Sequence, residues 1–204
     1  MNFLPRRFLL PVSLLVVAGA FLLWRLSARP SVNVTNGLVL PVRVRIDAGL
    51  DTTLAPGASV EWRLSRGSVG TMDWELVRPR TRAGMPVGEP MSGTALLTGE
   101  ARRREHVIRA RRGDAAWFAP LITNETGAPL ELRINAGLAG AVDCPCEVPP
   151  GARRLPVGYY RLYRNSTVEA RNAEGRRATF RDLGGEADAR SGAVGLRFGP
   201  GDLR

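Results

Sequence analysis

The sequence predicts an all-β protein, two tandem antiparallel β-sandwiches behind one N-terminal transmembrane helix. Three observations predict it: a phrase that occurs twice, a period-two alternation of apolar and polar residues, and one charge-free apolar stretch near the N-terminus.

The phrase VTNGLVLPVRVRIDAGL, Val34 to Leu50, returns as ITNETGAPLELRINAGL, Ile122 to Leu138, at one fixed offset of 88 residues. Further on, LAPGA (54–58) matches VPPGA (148–152) at an offset of 94, so the second copy carries six extra residues, and this insertion is read as a loop containing both cysteines. The offset returns to 88 where Arg109 and Gly113-Asp114 meet Arg197 and Gly201-Asp202. Each copy therefore spans roughly 85 residues, too long for a solenoid repeat and about right for a small domain. The expected division is an anchor over 1–29, one sandwich over 30–114 and a second over 115–204.

Within the phrase, Val42, Val44 and Ile46 alternate with Arg43 and Arg45, and Leu130, Leu132 and Ile134 alternate with Glu131 and Arg133. Period two places one set on a dry face, the signature of a half-buried strand. Weaker alternations over 59–65, 72–77, 105–110, 160–165 and 167–172 are separated by turn formers such as Asn36-Gly37, Pro56-Gly57, Pro150-Gly151 and Glu174-Gly175. Short strands with such punctuation predict sandwiches of about seven strands, of immunoglobulin-like type. The Asn-x-Thr, Pro, Pro-Gly rhythm of the phrase resembles that of generic extracytoplasmic sandwich domains, a likeness that carries no functional residue with it. The connector near Asp114 to Ala116 is too short to let the copies wander, so a stiff pair is expected.

Phe8 to Trp24 holds no charge. As helix it would reach about 26 Å, close to a hydrocarbon core of about 30 Å. Arg6, Arg7, Arg25 and Arg29 flank it, and Trp24 sits where an interfacial aromatic belongs. Ala18-Gly19-Ala20 also has the form of a signal-peptidase site, but Phe21 to Trp24 continue the apolar run, so an uncleaved anchor is the reading adopted. It spans the inner (cytoplasmic) membrane once, with the N-terminus on the inside and residues 30–204 in the periplasm or outside the cell. Gly19, between two alanines, offers a small-residue face for another membrane helix.

The net charge of +10 suggests nucleic acid only until it is divided. Four arginines and no acid lie in residues 1–29, thirteen arginines face nine acids in 30–114, and twelve face ten in 115–204. The exported part is mildly basic, so no nucleic-acid partner is expected. One concentration remains: Arg102, Arg103, Arg104, Arg109, Arg111 and Arg112. It suits anionic head groups or an acidic protein face, or else a strand edge kept from aggregating by charge.

Cys144-Pro145-Cys146 distinguishes the second copy chemically. Such a pair is read as a structural loop dispensable for folding, as a redox or cross-linking site, or as half of a soft-metal site. The lone His106 stands far from it in sequence, so a mononuclear zinc site from this chain is not expected. His106, between Glu105 and Val107 in an Arg-rich strand, is a poor general base, and no phosphate-cradling loop or haem-attachment motif occurs. The expectation is a protein without catalytic groups or cofactor. Asn33, Asn124 and Asn165 begin Asn-x-Ser/Thr sequons, of which Asn33 and Asn124 are read as turn chemistry. The aromatics Trp62, Trp74, Trp117, Tyr159, Tyr160 and Tyr163 are read mainly as core, yet Tyr159 and Tyr160 are adjacent, so a strand must point one of them outward.

The functional expectation is a non-catalytic accessory subunit of a larger integral membrane complex, bound to the bilayer through Phe8 to Trp24. The alternatives are a module binding cell-wall glycan or anionic lipid through the Arg cluster and Tyr pair, and redox or metal handling through Cys144 and Cys146.

Overall fold

The computed structural model describes Gly19 and residues 30–47, 49–65, 67–99, 103–112 and 115–204. The predicted anchor, Phe8 to Trp24, lies outside the described residues except for Gly19; among those described, no helix is long and apolar enough to cross a membrane.

The described chain is all-β. The first copy contributes β1 (Ser31–Asn36), β2 (Val42–Ile46), β3 (Leu50–Leu54), β4 (Ser59–Arg63), β5 (Val69–Leu76), β6 (Ser92–Thr98) and β7 (Arg103–Ile108). A two-residue strand, β8 (Arg111–Arg112), leads into the second copy. There follow β9 (Ala115–Asn124), β10 (Leu130–Ile134), β11 (Val142–Val148), β12 (Leu155–Pro156), β13 (Tyr160–Arg161), β14 (Val168–Arg171), β15 (Arg177–Phe180) and β16 (Ala193–Phe198).

The first copy forms sheets ordered β4-β1-β7 and β3-β2-β5-β6. The second repeats the pattern as β12-β9-β16 and β11-β10-β14-β15, with β8 and β13 also pairing along β9. In each copy the two sheets share one core, a sandwich-like arrangement: Val32 and Ile108 from one sheet cluster with Val44, Met72 and Trp74 from the other, and Ile122 and Leu196 cluster with Leu132 and Val168. The alternation expected from the sequence is observed. Val42, Val44, Ile46, Leu130 and Ile134 are fully buried and Leu132 nearly so, while Arg45, Glu131 and Arg133 are exposed.

Two features differ from expectation. Most pairings are antiparallel, but β1–β7 and β9–β16 are parallel. The last strand of each copy reaches its neighbour by crossing from the other sheet, so no hairpin constrains its direction. The strand order also departs from the immunoglobulin pattern, where the first two strands are neighbours in one sheet. Here β1 and β2 lie in different sheets, and the residue that turns the chain over is the Asn of the repeated phrase. Asn36 is fully buried. Its Nδ2 donates to the carbonyls of Leu40 and Leu54, both at 3.0 Å, and its Oδ1 accepts from the Leu38 N–H at 2.9 Å. Asn124 repeats the clamp, donating to Ala128 and Val148 at 2.8 and 3.0 Å and accepting from the Thr126 N–H at 3.0 Å. An amide supplies donors and an acceptor on one short side chain, which is what a buried corner with unpaired backbone groups needs.

The copies meet at a seam built by exchange. Tyr159 of the second copy is fully buried in the first copy's core, with Ala119. Val87 of the first copy is buried in the second copy's core. The Tyr159 hydroxyl accepts from the Val39 N–H at 2.9 Å and donates to the Ser191 carbonyl at 2.5 Å, so one group ties both copies together. Beside it the backbones touch: the Glu89 N–H donates to the Tyr159 carbonyl at 2.8 Å, and a Cβ on Gly158 would lie 2.7 Å from the Gly88 Cα. Both glycines hold positive φ, 84° and 96°, so a side chain is barred there by conformation as well as by space. The adjacent tyrosines are thereby explained. Tyr160 faces its own core and Tyr159, pointing out of that core, enters the other.

Replacing Tyr159 by Phe keeps the ring but leaves the Val39 N–H and the Ser191 carbonyl without their partner. Unfolding free energy should fall by about 2–4 kcal/mol, the cost of two unmade hydrogen bonds in a dry seam. Chemical denaturation of the full chain checks this; a change within error would mean that water replaces the hydroxyl and the seam is wet.

Candidate functional site

Cys144, Pro145 and Cys146 do not form a loop; they lie within β11. Of the six extra residues of the second copy, four lengthen the turn between β10 and β11, 135–141, and two lie within β11. Against β10, Glu147 pairs with Glu131 and Asp143 with Arg133, so three residues of β11 stand opposite Leu132 alone. This is a β-bulge, and Pro145 at its centre has no N–H to offer a ladder. The two cysteines are joined in a disulfide across it. Their sulfurs are therefore not thiolates free to ligate, and no group of three or more His, Cys, Asp or Glu residues able to hold a metal occurs among the described residues.

The disulfide borders a groove of about 680 Å³ that also involves Glu131, Arg133, Glu169, Arg171 and Arg177. Arg133 pairs with Asp143 at 3.1 Å and Arg177 with Glu169 at 3.6 Å, so the surface is of mixed charge. The two cysteines differ in setting. Both border the groove and pack on the second copy's core, Cys144 buried and Cys146 half-buried. The Tyr160 hydroxyl stands 3.3 Å from the Cys144 sulfur and 2.8 Å from the Val157 carbonyl. Burial pushes the Tyr160 hydroxyl well above its ordinary pKa, with Glu89 adding to the shift, so it keeps its proton and acts as a donor at neutral pH.

The other residues singled out in the sequence are dispersed. Gly19 is helical and exposed, and among the described residues no atom lies within 4 Å of where a Cβ would stand. Arg102 lies outside the described residues. The backbone of Arg103 lies in β7 and that of Arg112 in β8. Arg104, Arg109 and Arg111 are exposed, and Arg104 donates to Thr98 Oγ1 at 2.7 Å. β7 is the end strand of its sheet, so Arg103 and Arg104 mark a sheet edge, whereas Arg109 follows that strand and Arg111 and Arg112 lie in β8, paired with β9. His106 is half-buried in the same strand. Tyr159 and Tyr160, both consumed by cores, offer no stacking surface. Trp74 is core and Trp62 packs against it, Arg161 lies 5.0 Å over the Trp117 ring, and Tyr163 is 41% exposed. Of the three sequons, Asn124 is buried in its clamp, Asn33 is half-buried in β1 and Asn165 is exposed.

One surface was not singled out in the sequence. β6, SGTALLT, ends its sheet and carries no charge. Other edges are guarded: β3 bears Asp51, β4 Glu61 and Arg63, β7 its arginines, and β11 its proline and bulge. In the second copy the counterpart of β6 is β15, which exchanges backbone hydrogen bonds between Arg177 and Arg204 at 2.8 and 3.0 Å. Leu96 is 70% exposed on β6, and Val69, 61% exposed, stands diagonally across on β5. The signal was a run of uncharged residues of high β-propensity, legible only once its place at a sheet end is known.

No protein-family model matches the chain, and no curated protein matches its sequence.

A disulfide closing so small a loop restricts the unfolded chain only slightly, by about 1.5 kcal/mol on the chain-entropy relation. Replacing both Cys144 and Cys146 by Ala should therefore lower unfolding free energy by about 1–3 kcal/mol, including the lost packing of Cys144, and leave the fold intact. Denaturant titration checks it; loss of the folded state would mean the bridge is required to set the bulge.

Proposed function

We propose that the protein is a non-catalytic structural subunit of a larger membrane complex, anchored by Phe8 to Trp24, with residues 30–114 and 115–204 as two sandwiches outside the cytoplasm. In size and strand number each is immunoglobulin-like, with a strand order of its own. The observation that carries this reading is the seam, where Tyr159 and Val87 each lie in the other copy's core. Packing of this kind makes one body of two domains, as suits a part that braces or spaces other subunits.

The contact surface fits the same reading. The uncharged edge of β6, with Leu96 and Val69 beside it, suits an extended, uncharged segment of a partner subunit adding as a further strand. On the adjoining face Arg43 and Asp51 pair at 2.6 Å and Arg45 and Glu75 at 3.5 Å, a charged rim flanking an apolar contact. The hydrogen bond from Arg43 also holds the Asp51 carboxyl below its ordinary pKa. A glycan- or lipid-binding module is the weaker reading, because the tyrosine pair it would use is buried.

After extraction in mild detergent, the protein should co-migrate in fixed stoichiometry with a larger membrane complex. Leu96→Lys at the edge and Gly19→Leu in the anchor should each loosen that association while leaving the melting temperature of the exported part unchanged. Migration alone, together with retention on cell-wall glycan or anionic vesicles, would replace this reading with the binding module.

A further inference from the structure

We propose that the Cys144–Cys146 disulfide is a thiol–disulfide exchange site, which takes a cysteine pair on an extended polar segment of another protein and oxidises it. The proposal is independent of the membrane-subunit reading and rests on the unequal settings of the two sulfurs.

Exchange requires an accessible sulfur to attack and a second sulfur able to leave as a thiolate. The bulge supplies both. Both cysteines border the groove and pack on the second copy's core, but Cys146 is half-buried and so the more accessible, whereas Cys144 is only 8% exposed. A core position would ordinarily disfavour a thiolate. The Tyr160 hydroxyl at 3.3 Å answers that cost. It has one proton and, in the disulfide form, a better acceptor in the Val157 carbonyl at 2.8 Å. A thiolate is a far stronger acceptor than a disulfide sulfur, so the proton can swing to Cys144 as the bond breaks. Arg133, Arg171 and Arg177 line the groove together with Glu131, Asp143, Glu147 and Glu169, and this mixed charge suits a polar segment.

The chemistry balances without another reagent. A partner thiol ionises, giving its proton to water, and its sulfur attacks Cys146 Sγ; the new S–S bond forms as the Cys144–Cys146 bond breaks, and the electron pair leaves on Cys144 Sγ. The partner's second thiol then gives its proton to water and, as thiolate, attacks its own first sulfur, forming the partner disulfide and releasing the Cys146 thiolate. Both released thiolates take protons from water. The partner dithiol is oxidised by two electrons and this chain's disulfide is reduced to a dithiol.

The test uses the full-length oxidised chain and reduced glutathione, a monothiol that stalls at the mixed disulfide. Reaction at neutral pH is quenched in acid at short times, free thiols are alkylated, and the segment is mapped by mass spectrometry. Glutathione should sit on Cys146 with the alkyl group on Cys144, in at least tenfold excess over the reverse. Equal labelling, the reverse pattern, or reaction only after unfolding would overturn the proposal. Tyr160→Phe, with its fold confirmed by melting, should slow reduction by a small dithiol about tenfold; an unchanged rate would remove Tyr160 from the mechanism.

Discussion

The joining of the two sandwiches centres on the Tyr159 hydroxyl. It sits where the Val39 N–H of one copy and the Ser191 carbonyl of the other converge, and its ring completes a core to which its own domain does not belong. Burial raises its pKa, so the phenol stays neutral and can both accept and donate. Around it, Gly88 and Gly158 let two backbones approach to a distance no side chain would permit. Removing water from this contact makes each hydrogen bond count for more than it would on the surface.

Duplication explains the frame, and the places where the copies differ explain the rest. Both keep the buried Asn, the sheet order and the parallel closure by the last strand. They diverge in the connection between β5 and β6 and its counterpart between β14 and β15. In the first copy 77–91 forms a long excursion that delivers Val87 and Gly88 to the seam, whereas in the second only 172–176 separates β14 from β15. They diverge again at the third strand, where the second copy carries the bulge and the disulfide. One departure from symmetry joins the copies, and the other gives the second copy a disulfide the first lacks.

Much of the fold is legible in the sequence because its signals are local. Val42, Val44, Ile46 and their counterparts declare their face by alternation, and the fixed offset declares two copies of one unit. The position of the cysteines is not legible in this way, because an offset change states how many residues are gained within a hairpin, not whether turn or strand takes them; here the turn 135–141 lengthens and β11 bulges. The parallel pairings and the departure from immunoglobulin order are hidden for a related reason, since strand order depends on which sheet each turn leads into. The adjacency of Tyr159 and Tyr160 does signal an outward aromatic, but only the assembled chain shows that outward means into the other domain. The groove is half legible: the cysteine pair can be named, whereas Tyr160 as its donor and the arginines of β14 and β15 require the sheet to bring them there.

Native-state hydrogen exchange tests the central claim, that two sandwiches behave as one cooperative body, most directly. The slowest amides of β2 and of β10 should open with the same free energy and the same dependence on denaturant, because neither core is complete while the other is unfolded. Two distinct opening free energies, with one sandwich exchanging while the other stays protected, would contradict the account.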